Sequence, residues 1–250
     1  MKGFGLIGYP LSHSFSKQYF TEKFSRESIS DCYYKNFPIE EIEKLPALIA
    51  KHDDLIGLNV TIPYKERIIP YLHELDHDAR SIGAVNTIKI MRAGDLSVLK
   101  GYNTDTYGFH TSIGPLLKPY HKNALVLGTG GAAKAVAFVL KKLNLETVFV
   151  SRNPVKQNQI AYHDLSKELF SDFQIIVNAS PVGMYPDIHT FPDIPYQFLT
   201  SRHILFDLIY NPSETQFIRK GRSKGAIAVN GLEMLHLQAE RAWDIWNQSG

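Results

Sequence analysis

A strand that runs straight into a glycine turn and then a helix leaves few folds open to a chain. Residues 123–133 read Asn-Ala-Leu-Val-Leu-Gly-Thr-Gly-Gly-Ala-Ala, which fits G-x-G-x-x-A with Gly128, Gly130 and Ala133. A helical pattern follows over 132–143 and a second apolar strand over 147–150. A strand, a crossover helix and a second strand imply a parallel sheet. Gly128 permits the tight turn, Gly130 lets the backbone approach a pyrophosphate, and the small Ala133 lets helix and strand pack closely. Amides at the helix N-terminus have no partner within the helix and point at phosphate. Gly128, Thr129, Gly130, Gly131 and Ala132 are therefore the candidate phosphate-binding residues. The plain alternative is a glycine turn with no ligand, and the flanking helix and strand argue against it.

The end of the second strand selects the dinucleotide. A chain that uses NAD places Asp or Glu there to bind the ribose 2′-hydroxyl. Here the residues are Val150-Ser151-Arg152-Asn153, with no acid. Arg152 offers a planar fork suited to a 2′-phosphate. Ser151 and Asn153 add hydrogen-bonding groups and Lys156 adds charge. NADP(H) is the cofactor expected, unless Arg152 is merely a solvated surface residue.

The alternation extends along the whole chain. Strands are expected at 4–7, 32–37 and 56–60, with helices at 14–24 and 40–51 and a helical segment from Tyr64. Runs 85–91 and 96–101 flank Arg92-Ala93-Gly94-Asp95 and read as a hairpin. A helix is expected over 105–117, stopped near Pro119. Further strands are expected at 174–178, 204–208 and 226–229. Four prolines mark 181–195 as a long loop of the kind that lines a ligand site or moves. A final helix spans 232–246, with Leu232, Leu235, Ala239, Ala242, Trp243 and Trp246 on one face. The pattern predicts α/β architecture in two units.

Composition narrows the class. The 250 residues are 44% hydrophobic and 21% charged, which excludes a disordered or fibrous chain. A net charge of +2 argues against non-specific binding to nucleic acid. Cys32 is the only cysteine, so there is no internal disulfide. No window approaches a membrane span, and Met1–Pro10 lacks the apolar core of a signal peptide. The expectation is a cytoplasmic protein, without membrane or nucleic-acid partners, acting as a monomer or homodimer on a small molecule.

Polar residues crowd the ends of the expected strands in the first half. They are Ser14 and Ser16, then Asn59-Val60-Thr61-Ile62-Pro63-Tyr64-Lys65, then Ala84-Val85-Asn86-Thr87, then Asn103-Thr104-Asp105. Ligands of open α/β sheets sit beyond the carboxyl ends of strands, so one cleft is expected to collect them. Singly, each has a plainer role: Ser14 or Asp105 as a helix cap, Asn86 as a turn former, Lys65 as a solvated lysine.

Together these segments resemble the shikimate dehydrogenase family. The resemblance covers nearly the whole chain: Ser-x-Ser, Asn-Val-Thr-x-Pro-x-Lys, Ala-Val-Asn-Thr, Asn-Thr-Asp, Gly-x-Gly-Gly-Ala-Ala, Asn178-Ala179-Ser180, Gly183-Met184, and Asn230-Gly231-Leu232 with Gln238. It implies an N-terminal α/β substrate domain and a Rossmann-like NADP-binding domain, with the active site in the cleft between them. The expected boundaries are 1–104 completed by 232–250, and 105–231. The resemblance implies NADPH-dependent, reversible reduction of 3-dehydroshikimate to shikimate, on the route to chorismate and the aromatic amino acids. It places the substrate carboxylate on Ser14 and Ser16, and the hydroxyls on Thr61, Asn86, Asp105 and Gln238. It makes Lys65 the catalytic lysine with Asp105 beside it, and sets Tyr210 in the lining. It adds Asn178, Leu208 and Gly231 to the cofactor set.

Two departures stand out. Ser151-Arg152-Asn153 replaces the family's usual Asn-Arg-Thr but keeps the arginine. Thr106 replaces the Gly that usually follows Asn-Thr-Asp, so a slightly altered helix start is expected. Ketone reduction needs a hydride and a proton; protonated Lys65 can supply the proton, and neutral Lys65 can take it back in reverse. No metal is expected, because no His/Cys/Asp cluster has ligand spacing and His73 and His236 read as surface residues. The alternatives are a quinate/shikimate dehydrogenase with relaxed cofactor use, and a non-catalytic ligand-sensing paralogue. Retention of Lys65 and Asp105 and the absence of an added DNA-binding segment speak against the second.

Overall fold

The computed structural model describes residues 1–11, 15–94 and 96–248. The chain forms two compact units, Met1–Thr104 with Ala239–Gly250, and Asp105–Gln238. Ser14, the first residue of the expected 14–24 helix, and Asp95 of the hairpin turn lie outside the described residues.

The first unit carries a six-stranded sheet in the order β2-β1-β3-β5-β6-β4. Its strands are β1 (Lys2–Gly8), β2 (Cys32–Pro38), β3 (Leu55–Val60), β4 (Glu74–Leu75), β5 (Thr87–Ala93) and β6 (Leu96–Tyr102). β1 pairs in parallel with β2 and β3, whereas the β5–β6 hairpin joins antiparallel to β3. Side chains of β1 alternate between two cores. Phe4 and Leu6 pack with Phe20 and Phe24 of helix α1 (Phe15–Arg26), and Ile7 packs with Leu45 and Ile49 of α2 (Leu45–Lys51). The expected 40–51 helix is broken: a single 3₁₀ turn at Ile42–Lys44 precedes α2. Pro46 is the reason, since without an N–H it is accommodated in a helix's first turn.

The second unit holds an all-parallel sheet in the order β12-β11-β10-β7-β8-β9. Its strands are β7 (Asn123–Leu127), β8 (Glu146–Ser151), β9 (Gln159–Ala161), β10 (Ile175–Asn178), β11 (Ile204–Asp207) and β12 (Ile227–Val229). The chain winds outward from β7 to β9, then returns to β10 on the other side of β7, which is the doubly wound pattern. Both faces are buried. Ala124 and Val126 face a core with Phe109, Val136 and Phe206, while Leu125 and Leu127 face Phe170, Phe217 and Ile218. Burial on two faces explains why these strands read as unbroken apolar runs rather than alternating ones.

The crossover helix α6 (Gly131–Lys142) starts where the glycine turn ends. Helix α5 (Asp105–Ile113), with the departing Thr106 in its first turn, is shorter than the expected 105–117 and ends in a 3₁₀ turn at Gly114–Leu116. Three short helices escape the sequence pattern: α4 (His77–Ile82), α7 (Lys167–Asp172) and α8 (Gln216–Ser223). Each begins on a side-chain cap, from Asp76, Ser166 and Thr215 respectively. The 181–195 segment is a succession of turns, in which Thr190 Oγ1 accepts from the Gly183 amide and donates to the Asp187 carbonyl.

Helix α9 (Leu232–Asn247) divides at Gln238 and Ala239, not ahead of Leu232 as the expected boundary had it. Packing gives the reason: Met234 belongs to a core of the second unit, while Ala239, Ala242 and Trp246 belong to a core of the first. Trp246 packs on Phe4 and Phe20 and donates from Nε1 to the Ile88 carbonyl at 3.0 Å. A Cβ at Gly57 would fall on the Trp246 indole, so this strand position must be bare. On the helix's other flank, burial of Lys23 favours its neutral form, but hydrogen bonds from Lys23 to Glu240 and Glu27 outweigh that and hold it charged. Tyr19 also hydrogen-bonds Glu240.

The C-terminal half of α9 is thus an integral wall of the first unit. Trp246→Ala is expected to cost about 3–5 kcal/mol of stability, the usual range for emptying a buried aromatic site. Urea unfolding followed by circular dichroism checks this; a loss under about 1 kcal/mol would show that the helix end is dispensable.

Candidate functional site

In the second unit the strand order reverses between β7 and β10, and ligands of such sheets bind outside the strand ends at that point. The phosphate-turn candidates lie there. Gly128 has φ +112°, and a Cβ on it would come within 3.1 Å of the Ala179 carbonyl oxygen. Its amide donates to the Val150 carbonyl, and the Ala179 amide donates to the Leu127 carbonyl, so the ends of β7, β8 and β10 are stitched together. Gly130 caps α6 without a side-chain hydrogen bond, and a Cβ on it would meet nothing within 4 Å. That open surface over a twelve-residue helix's N-terminus fits a pyrophosphate. Ala133 is fully buried, as close helix–strand packing requires.

At the end of β8, Ser151 Oγ accepts from the Asn153 amide at 3.2 Å and turns the chain. Arg152, Asn153 and Lys156 stand exposed on that turn. Burial raises the Tyr162 pKa and the Arg152 charge opposes the shift, so the guanidinium acts on that ring. The cationic, donor-rich turn fits a 2′-phosphate and offers no carboxylate to a ribose diol.

Asn178, expected in the cofactor set, ends β10. It is fully buried; Nδ2 donates to Asp207 Oδ1 at 3.0 Å and to the Val182 carbonyl, and Oδ1 accepts from Ser180 N and Oγ. Its side chain shapes the turn after β10 from inside. Asp207, which sequence reasoning passed over, is the hub. Its carboxylate accepts from Asn178, the Ile209 amide and, at 2.5 Å, Thr215 Oγ1. Burial pushes the Asp207 carboxyl up to about 6, against the pull of those hydrogen bonds. Leu208 and Gly231 meet backbone to backbone: a Cβ at Gly231 would collide with the Leu208 carbonyl. Tyr210 is part-exposed, with its phenol raised by burial.

In the first unit, the Thr61 amide donates to the Ile7 carbonyl and the Tyr9 amide to the Ile62 carbonyl, which closes the ends of β1 and β3. Helix α3 (Tyr64–Arg67) follows. Tyr64 is fully buried and its hydroxyl donates to the Ile39 carbonyl at 2.6 Å. The Lys65 carbonyl accepts from the Val85 amide at 2.7 Å. Lys65 is therefore fixed at its backbone between a buried anchor and a strand start, while its side chain is only half-buried.

Beside it runs a buried polar network. Tyr34 donates to Asn59 Oδ1 at 2.7 Å, and Asn59 Nδ2 reaches the Asn86 carbonyl and Thr87 Oγ1. Asn86 Oδ1 accepts from the Thr104 amide at 2.7 Å and from the Thr87 hydroxyl at 3.1 Å. Ser16 hydrogen-bonds the Tyr34 hydroxyl from the first turn of α1. The structure thus joins Ser16 and Asn86 through Tyr34, Asn59 and Thr87; Asn59 and Thr87 stand in the polar strand-end segments with no role of their own expected, and Tyr34 lies outside them. Their signal in the sequence was thin, since a Tyr in a strand reads as core. Ser14 lies outside the described residues. Asp105 and Gln238, both buried, belong to the second unit, at its first and last positions. Gln238 Nε2 donates to the Leu235 carbonyl in its own helix. His73 and His236 are exposed, and no cluster of three or more His, Cys, Asp or Glu among the described residues is suited to a metal ion.

A doubly wound unit with a phosphate turn at its switch point, joined to a mixed-sheet unit with polar groups at its strand ends, defines a two-domain dinucleotide-dependent oxidoreductase. A family model described as the shikimate dehydrogenase substrate binding domain matches residues 6–88. The NADP(+) shikimate dehydrogenase of Carboxydothermus hydrogenoformans is 38% identical over 259 residues, 97% of this chain and 90% of that protein. Shikimate dehydrogenase 1 of Peptoclostridium difficile is 39% identical with a TM-score of 0.85, covering 100% of this chain and 93% of the other. The Thermus thermophilus enzyme, solved with NADP(H) and shikimate, is 30% identical with a TM-score of 0.84, covering 99% and 94%. This chain belongs to the shikimate dehydrogenase family.

The raised pKa of Asp207 gives the second unit a pH signature. The folded carboxyl holds its proton to about pH 6, the unfolded one only to about 3.8. Below that window both are protonated and the folded state keeps its full stability. As pH rises through it the unfolded state loses its proton first, and stability falls. Relative to Asp207→Asn, the parent is expected to lose on the order of 2–3 kcal/mol between pH 4 and 6.5. Urea unfolding of both proteins across that range decides it; parallel stability curves would exclude a protonated Asp207.

Proposed function

We propose that this chain catalyses the NADPH-dependent, reversible reduction of 3-dehydroshikimate to shikimate, a step toward chorismate and the aromatic amino acids. The observation that carries the reading is similarity over 97% of this chain to an NADP(+) shikimate dehydrogenase, in a chain that keeps Ser16, Thr61, Lys65, Asn86, Asp105 and Gln238. No helix among the described residues is long and apolar enough to cross a membrane.

The dinucleotide, when bound, supplies the hydride. The turn Gly128–Ala132 would hold its pyrophosphate on the α6 amides, and Arg152, with Ser151, Asn153 and Lys156, its 2′-phosphate. Asn178 and Gly231 act as scaffold for that unit's strand ends. On the substrate side, Ser14 and Ser16 anchor the carboxylate, while Thr61, Asn86 and Gln238 take hydroxyls and Tyr210 lines the site. Lys65 gives a proton to the oxygen that becomes negative as the ketone is reduced, and Asp105 orients the ammonium. In reverse, neutral Lys65 takes the hydroxyl proton. Reduction of NADP measured with shikimate, with quinate and without substrate, then repeated with NAD, tests the assignment. Turnover with quinate and NAD only would overturn it.

Arg152→Ala is expected to weaken NADP by about 1.5–3 kcal/mol, the worth of a hydrogen bond to a charged group, and NAD hardly at all. Equal losses in coenzyme titrations would remove Arg152 from the 2′-phosphate.

Lys65→Ala is expected to lower kcat by about 10²–10⁴, the range for a lost general acid–base group. Shikimate binding should change far less, because its carboxylate and other hydroxyl contacts remain. Steady-state kinetics on a variant with parental circular dichroism checks this; a kcat within a few-fold of the parent would assign proton transfer elsewhere.

A further inference from the structure

The hydrogen bonds around Asn59 and Asn86 fix the direction of both carboxamides. The Asn86 carbonyl can only accept, so Asn59 must turn Nδ2 toward it, at 3.4 Å. That leaves Asn59 Oδ1 facing Tyr34 at 2.7 Å, and the phenol must donate. Thr87 Oγ1 accepts from Asn59 Nδ2, so its own proton goes on to Asn86 Oδ1, directly at 3.1 Å or by way of Thr104 Oγ1 at 3.2 Å, which donates to the same Oδ1. The Thr104 amide can only donate, and it meets the same Oδ1 at 2.7 Å. Asn86 is thereby held with Oδ1 inside the network and Nδ2 turned away from it. Tyr34, Asn59, Asn86, Thr87 and Thr104 are all at most 5% exposed, so water cannot scramble the order.

We infer that Tyr34 is a positioning residue for the substrate site: its hydroxyl, bonded to Ser16 on one side, donates on the other into a hydrogen-bond chain that orders Asn86 as a donor toward a substrate oxygen. The inference rests on the proposed reaction. Tyr34 touches no reacting atom in this account. Its ring is held independently, stacked on Phe20 at 4.8 Å, so removing the hydroxyl leaves the packing in place. Without that proton, Asn59 Oδ1 is a buried acceptor with no donor, and its grip on Thr87 and the Asn86 carbonyl loosens. Thr104, at the end of the chain, immediately precedes Asp105 in sequence.

The test is kinetic, with shikimate and NADP, on the parent, Tyr34→Phe, Asn86→Ala and the double variant, with coenzyme binding followed by fluorescence. Tyr34→Phe is expected to lower kcat/KM for shikimate about 5–30-fold, the equivalent of one or two kcal/mol, and to leave NADP affinity unchanged. The double variant is expected to be no more than about twofold worse than Asn86→Ala, because residues acting through one another do not add. Losses that multiply, or a parental kcat/KM in Tyr34→Phe, would overturn the inference. Should Tyr34→Phe fail to fold, Thr87→Val cuts the chain one link later and is judged by the same criteria, with Thr87→Ser expected to retain most of the activity. A parent idle with shikimate and NADP sinks the proposed reaction itself; an active parent with an indifferent Tyr34→Phe sinks only the role of Tyr34.

Discussion

A parallel sheet buried on both faces leaves polar side chains one place to go, the ends of its strands. That constraint organises the second unit. Ala124, Leu125, Val126 and Leu127 are all fully buried, so β7 carries no chemistry along its length. Chemistry begins at Gly128, where the strand stops. The same holds for β10, which is apolar until Asn178, and for β11, which is apolar until Asp207. Neighbouring parallel strands end side by side, so their terminal residues meet. Asn178 and Asp207 are directly opposite in register, and their side chains bond each other.

Close backbone approach is the second requirement. The strand ends come near enough that a Cβ would collide at Gly231 against Leu208 and be crowded at Gly128 against Ala179, where φ is also positive. Without these glycines the turns would be pushed apart, and the carboxamide of Asn178 would lose its reach to Ser180 and Asp207. The glycine pattern that signals a dinucleotide is thus partly a packing requirement of the protein itself. Gly130 is the exception: a side chain there would meet only open space, so the protein's own packing does not require a bare position.

How much of this was legible follows from where the information sits. The long apolar runs and the glycine turn are local signals, and they yielded the α/β class, the hairpin and the phosphate turn. The short helices at 77–82, 167–172 and 216–223 have six, six and eight residues, too few for periodicity to register. Their caps, Asp76, Ser166 and Thr215, were the only trace. The shared helix α9 read as one element, but its change of allegiance at Gln238 depends on which core Met234 and Trp246 reach, which is tertiary information. Lys65, Asn86 and Asp105 drew notice as polar residues at strand ends. Tyr34, Asn59 and Asp207 support such residues from inside, and support of that kind is a pairing between distant segments that no local pattern carries.

The two polar networks also differ in kind. The second unit's is centred on a carboxyl group that burial drives toward the physiological range, so its charge responds to pH. The bonds described in the first unit's run between carboxamides, hydroxyls and backbone groups, and Tyr34 is the ionisable residue among them. Burial pushes that phenol far above its ordinary value, so it remains a donor at neutral pH. A network that does not titrate keeps Asn86 facing one way at any pH an enzyme meets. A reaction that moves a proton needs that separation: the scaffold stays fixed while the groups that carry the proton change charge. In such an arrangement the pH profile of turnover with saturating coenzyme reports the proton-carrying residues and not the scaffold that aims them.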